Sequence, residues 1–158
     1  MAPVAPGVRI ASLLLSLAGL GVSIYMTWEH FHGSHYLGCS AGGLVNCSTV
    51  TTSAQSYVAG VPVAVLGLIG YAVLTLLNLP WAWSARSYAL HAARAALVTA
   101  SMGFVVWLIA AELLIIDHIC LWCTSVHVIT FALFVLTALS APAQLGLSGA
   151  PGRDAPSR

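Results

Sequence analysis

Asp117-His118-Ile119-Cys120-Leu121-Trp122-Cys123 is the stretch on which the fold turns. It closes one apolar segment on Asp117 and His118, which make a very tight turn. It then opens the next apolar segment, from Ile119, with a Cys-x-x-Cys at its mouth. Two sulfurs three positions apart lie on about the same face of a helix and can close a small, reducible ring. At a helix N-terminus the unpaired N–H groups carry partial positive charge. That charge favours a thiolate, which is the nucleophilic form. Two further cysteines, Cys39 and Cys47, stand far upstream in a polar loop.

Outward from this stretch the chain is apolar almost throughout. Of 158 residues 59% are hydrophobic and 6% charged, with a mean hydropathy of +0.95. A soluble domain carries roughly 25% charged residues, so this surface is matched to a bilayer and not to water. There is no lysine, and the net charge of +1 excludes nucleic acid as a partner, because phosphate binding needs a basic stripe.

Four spans are expected, at approximately residues 10–28, 61–79, 95–116 and 119–139. The first, Ile10 to Trp28, has no charge inside and is long enough, at about 28 Å, for the ~30 Å hydrocarbon layer. It ends in Tyr25 and Trp28, whose rings suit a membrane interface, and no Ala-x-Ala-like cleavage site follows Leu20. It therefore reads as a retained helix and not as a signal peptide. Glu29 to Ser56 is one long polar segment holding His30, His32, His35, Cys39 and Cys47, and it is expected to pack on the bundle as a cap. Gly60-Val61-Pro62 opens the second span, since proline is tolerated in a first helical turn. Gly67 and Gly70 within it can admit a neighbouring helix. Ser84 to Arg94 is a link, and Glu112 interrupts the third span near its end, where it reads either as a functional intramembrane acid or, the favoured reading, as a residue within a turn of the interface that snorkels towards the side of Asp117. Trp122 is placed as an interface anchor. The tail 141–158 has the Pro, Gly and Ser content of a disordered segment.

The arginines orient the bundle. Arg9, Arg86, Arg94, Arg153 and Arg158 all fall on one side of a four-span chain, and Glu29 and Asp117 fall on the other. The positive-inside rule puts both termini in the cytoplasm. All four cysteines then face the oxidising side, where disulfides form and persist. The expected architecture is an all-α, integral membrane four-helix transmembrane bundle with an extracytoplasmic loop cap. Two dithiol pairs on one face suit a relay, because thiol–disulfide exchange passes electrons from pair to pair without a metal. A lipid-soluble quinone is an acceptor that can reach Cys123 from the bilayer.

The ordered set Cys39-x7-Cys47-Ser48, then Gly60-Val61-Pro62 with Gly67 and Tyr71, then Cys120-x-x-Cys123 opening the fourth span, resembles the vitamin K epoxide reductase family, especially its bacterial members. The resemblance covers roughly Ile10 to Leu139. The other four-helix disulfide-generating family, the DsbB type, carries its Cys-x-x-Cys in the first loop instead. The resemblance implies a quinone-dependent thiol oxidase that supports disulfide bond formation. Cys39 and Cys47 would be the shuttle pair, facing a separate thioredoxin-fold protein of the DsbA type. Cys47 would hand electrons to Cys120, and Cys123 would deliver them to a membrane quinone of the menaquinone, ubiquinone or vitamin K type. It also implies a bacterial inner (plasma) membrane location, and a place near the active site for Ser53. His127 falls where the animal enzymes have a quinone-binding tyrosine. This departure puts epoxide reduction and anticoagulant-type inhibition in question.

Three other readings stand beside it. One is a vitamin K quinone or epoxide reductase, the same chemistry run for the quinone's sake. Another is a non-enzymatic membrane protein that binds Zn²⁺ or Cu⁺ through the cysteines with His30, His32, His35 and His118. The third takes the four cysteines as two structural disulfides. No metal is expected under the redox reading. His127 is also suited to a helix–helix hydrogen bond.

Overall fold

The computed structural model describes residues 4–33, 39 and 43–145. Its frame is made of long helices packed side by side: α1 (Pro6–His32), α3 (Val63–Leu77), α5 (Tyr88–Ala111), continued by a π-helical turn at Glu112–Ile116, and α6 (Leu121–Gln144). Between α1 and α3 lie the short α2 (Cys47–Thr51), a 3₁₀ turn at Ala54–Ser56, and a hairpin of β1 (Tyr57–Val58) and β2 (Val61–Pro62). A further short helix, α4 (Pro80–Ser84), joins α3 to α5. Helix α1 packs on α3 and α6, and α5 packs on α6 and α3.

Three of these helices, Pro6–His32, Tyr88–Ile116 and Leu121–Gln144, are long and apolar enough to cross a membrane. The residue classes are inverted relative to a soluble bundle. Leu14, Phe31, Leu114 and Leu139 are exposed, while Ser12, Ser16, Ser23, Thr130, Thr137 and Ser140 are buried. Lipid does not reward burying leucine, so small residues that allow close backbone approach hold the interior. Ser12, Ser16, Gly19 and Ser23 form such a stripe on α1. A Cβ on Gly19 would overlap the ring of Tyr71 on α3. The Tyr71 hydroxyl in turn meets Thr130 Oγ1 at 2.8 Å and donates to Val126 O at 3.1 Å on α6. Asn78 donates to Ser16 Oγ at 2.9 Å, tying the end of α3 to α1.

The structure departs from the sequence expectation at several points. The second apolar stretch forms a helix of only 15 residues, Val63–Leu77, about 22 Å long. Val61 and Pro62 are taken into the hairpin, and Asn78 caps the other end. The hairpin reverses at Ala59 (φ 51°) and Gly60 (φ 81°), consecutive positive-φ positions of the kind that match strand twist in a two-residue turn. At Gly67 the neighbouring helix does come close, a Cβ there lying 3.5 Å from Ser23 Oγ of α1; at Gly70 nothing among the described residues lies within 4 Å of a Cβ, and the tightest approach is made at Gly19. Helix α5 begins at Tyr88 and not at Ala95, so His91 and Arg94 sit inside it. Arg94 is fully buried, donates to Leu77 O and to Gln144 Oε1 (3.1 Å), and stacks 3.8 Å from the Trp83 ring centroid. A cation there satisfies carbonyls at the end of α3 and complements its dipole. Helix α6 continues past Leu139 to Gln144, taking in Pro142. The remainder of the expected tail, from residue 146, lies outside the described residues, as does His35.

Candidate active site

The site begins with one parallel bridge between Val45 and Ile119. Ile119 N–H donates to Leu44 O at 2.9 Å, and Asn46 N–H donates to Ile119 O at 3.1 Å. The residues that follow the bridge on its two sides are Asn46-Cys47 and Cys120. The Asn46 side chain accepts from Thr49 N–H at 3.1 Å and so caps α2, which makes Cys47 its first residue. On the other side the left-handed Asp117 (φ 55°) ends the π turn. The chain then runs through His118, whose Nδ1 bonds Ile116 O at 2.8 Å, into the bridge. The loop is thus clamped to the mouth of α6 by backbone groups. Cys47 (1% exposed) and Cys120 (0% exposed) share one buried cluster with Val50. Cys39, Cys123, Tyr25, Met26, Ile116 and Trp122 pack around it.

Cys39 and Cys47 form a disulfide with Cα atoms 5.7 Å apart, and Cys120 and Cys123 are free thiols. Cys120 is the N-cap of α6, and its sulfur accepts from Cys123 N–H at 3.3 Å. The neighbouring Cys123 thiol, helped by these backbone N–H groups, holds the Cys120 thiol below the ordinary thiol range. Trp122 turns inward to this cluster, its ring 4.8 Å from that of Tyr25.

Behind Cys123 lies a cavity of about 190 Å³ between α1, α3, α5 and α6. A 150 Å³ apolar cavity holds a benzene ring, so this space admits an aromatic ring system. Its wall includes both residues that the sequence singled out beside the cysteines, Ser53 and His127. The Ser53 hydroxyl donates to Val50 O at 2.8 Å, which commits its proton to the loop. His127 is buried (6% exposed) one helical turn beyond Cys123. Met26, Val50, Leu74, Phe104, Val105 and Leu108 make much of the remaining wall apolar, as a quinone ring requires.

Glu112 does not snorkel, the reading that the sequence favoured of the two. It is 6% exposed and lines the cavity. Its carboxyl group interacts with the Cys120 backbone N–H and the Cys123 thiol. The π turn brings it there, and such turns recur at functional sites. The available signal was a single acid inside an apolar segment, which is a functional candidate by default in a membrane. Glu29 also lines the cavity; it is 2% exposed, and among the described residues neither carboxylate oxygen has a hydrogen-bond partner.

His30 and His32 have partners outside the cysteine cluster. His30 Nε2 meets Tyr57 OH at 3.2 Å, and His32 Nδ1 meets Trp28 O at 2.9 Å. Among the described residues, no three His, Cys, Asp or Glu side chains converge as a metal site.

Apolar helices of membrane-spanning length, with two cysteine pairs stacked at one end and a ring-sized cavity behind the inner pair, define a membrane-embedded redox protein. The sequence model of the Vitamin K epoxide reductase family matches residues 10–138, and the chain belongs to that family. It is accordingly an integral membrane oxidoreductase with quinone-linked chemistry carried on cysteines.

Proposed function

We propose that the protein is a quinone-dependent thiol oxidase. It takes electrons from a separate thioredoxin-fold partner through Cys39 and Cys47, passes them to Cys120 and Cys123, and delivers them to a membrane quinone. The observation that carries this reading is the Val45–Ile119 bridge, which sets Cys47 and Cys120 in one buried cluster. Exchange requires Cα atoms within about 7 Å; Cys47 follows Val45 by two residues and Cys120 follows Ile119 by one, which supports their meeting in this cluster. The loop pair is oxidised and the inner pair reduced, the arrangement expected after the inner pair has received its electrons.

In the forward direction the partner's thiolate opens the Cys39–Cys47 disulfide at Cys39, and the released Cys47 attacks Cys120. Cys123 leaves as the free thiol. The partner's second thiol displaces Cys39 and leaves the partner oxidised, and the Cys39 thiolate attacks Cys47, which re-forms Cys39–Cys47 and releases Cys120. The Cys120–Cys123 bond then re-forms as the electron pair passes to the quinone. The cavity residues hold the ring: the apolar wall excludes water, and His127 is placed to hydrogen-bond a ring oxygen. In this reading α3 with its flanking turns serves as the fourth span. The protein lies in a bacterial inner membrane with both termini cytoplasmic, and its product is an oxidised partner for disulfide bond formation.

The test is a Cys39→Ala, Cys123→Ala double variant, in which only Cys47 and Cys120 keep thiols. A Cys47–Cys120 disulfide accumulates, detected by non-reducing peptide mapping. A variant that stays fully reduced in an oxidising compartment overturns the relay and favours the metal-binding account.

A further inference from the structure

Resting on that reading, we infer that Glu112 is the proton-transfer group of the inner cysteine pair. It protonates Cys123 when the Cys120–Cys123 disulfide opens and takes the proton back when Cys123 gives up its electrons. Three observations converge on it. The π turn at Glu112–Ile116 points a carboxyl group inward from a helix that is otherwise apolar on that stretch. The carboxyl group interacts with the Cys123 thiol and the Cys120 N–H. Glu112 and Cys123 both line the cavity proposed for the acceptor, so the acid and the thiol it serves share one space.

The balance is as follows. When Cys47 attacks Cys120, the Cys47–Cys120 bond forms, the Cys120–Cys123 bond breaks, and the electron pair stays on Cys123. A leaving thiolate enclosed in a low-dielectric site is costly, and Glu112 in its acid form supplies the proton that neutralises it. The partner's second thiolate then displaces Cys39, and Cys39 attacks Cys47 and releases Cys120 as a thiolate. In the second half Cys123 returns its proton to the Glu112 carboxylate, the Cys120–Cys123 bond forms again, and two electrons pass to the quinone. The two protons of the quinol are the two that the partner's thiols release, and Glu112 ends the turnover in its acid form, ready to repeat.

The other titratable groups facing this cavity are Cys123 and His127 from α6, Glu29 and His30 from α1, and Tyr71 from α3. His30 is bonded to Tyr57 and Tyr71 to Thr130. His127 is the competing carrier, because it follows Cys123 by four positions and so shares its helix face. Glu29 lines the same wall, from α1.

The experiment uses the full chain in lipid nanodiscs, as Glu112→Gln, Glu112→Asp and His127→Phe variants, with folding checked by thermal unfolding. Two rates are measured across pH. One is reduction of a short-chain ubiquinone driven by dithiothreitol. The other is opening of the Cys120–Cys123 disulfide by dithiothreitol without quinone, read by quench and alkylation. General acid–base catalysis contributes about 10²–10⁴-fold, so Glu112→Gln should slow both rates by roughly 100-fold or more. The wild-type quinone rate should fall as pH drops and the carboxylate is protonated. Glu112→Gln should lose that limb, with its rate rising only as alkali ionises the thiol directly. Glu112→Asp should recover part of the rate, and His127→Phe should keep the limb. Rates for Glu112→Gln within threefold of wild type, or faster than wild type in both assays, overturn the assignment. Loss of the limb in His127→Phe transfers the role to His127 and also overturns it. If wild type reduces no quinone while Glu112→Gln still slows disulfide opening, the quinone reading fails and the role of Glu112 stands.

Discussion

Replacing Ile119 by proline tests whether the backbone bridge couples the two cysteine pairs. The substitution deletes the N–H that donates to Leu44 O at 2.9 Å and leaves the Asn46 N–H to Ile119 O bond its acceptor. One intramolecular hydrogen bond is worth about 0.5–1.5 kcal/mol net. The freed Leu44 carbonyl belongs to a residue 63% exposed, so water can replace the donor and no buried-acceptor penalty is added. Restriction of His118 before the proline adds a small further cost. The docked loop should therefore lose about 1–2 kcal/mol, or roughly 5–30-fold in the effective concentration of Cys47 at Cys120, at 1.4 kcal/mol per factor of ten. The assay is equilibration of the Cys39→Ala, Cys123→Ala background with a glutathione redox buffer, with and without Ile119→Pro. Ile119→Ala, which keeps the N–H, is the control. The glutathione ratio at which the Cys47–Cys120 bond is half formed should shift by that factor for proline and by less than threefold for alanine. Dithiothreitol-driven quinone reduction, which bypasses the loop, should change much less. Equal loss in both assays, or equal effects of alanine and proline, would refute the idea that the bridge positions the relay.

Two other expectations concern the opposite face and the topology. Arg94→Leu should remove the donors to Leu77 O and Gln144 Oε1, leaving two buried acceptors at about 1–3 kcal/mol each. Thermal unfolding in detergent should show a loss of about 2–6 kcal/mol, while the yield of the Cys47–Cys120 disulfide should be unchanged because the cluster lies at the other end of the helices. A reporter fused after Arg158 should read as cytoplasmic and one inserted within residues 33–40 as external; the reverse result for either would put the cysteines on the reducing side.

The sequence alone carried the solvent, the chemistry and the family. An apolar chain of 6% charge has no aqueous solution to its surface, and the spacing of four cysteines across apolar segments is a local pattern that survives without coordinates. Helices α1 and α6 were legible because long uncharged runs have few alternatives in lipid. What the sequence could not decide is which side of each helix faces inward. Lipid is as apolar as a leucine core, so hydropathy does not separate interior from exterior as it does in water. Gly19, which must be glycine for Tyr71 to pack, was therefore invisible beside Gly67 and Gly70. Arg94 likewise read as part of a polar link, although in the fold it is the buried donor that joins α3 to α6. The shortening of α3 came from a hairpin whose partner strands are only two residues each, too short for any periodicity. Above all, the direction of Glu112 depends on one π turn, and the meeting of Cys47 with Cys120 depends on hydrogen bonds between Leu44, Asn46 and Ile119. Both are long-range or register properties of backbone groups that every residue carries, so no side-chain pattern could announce them, and only tertiary structure brings the acid and the two cysteine pairs together.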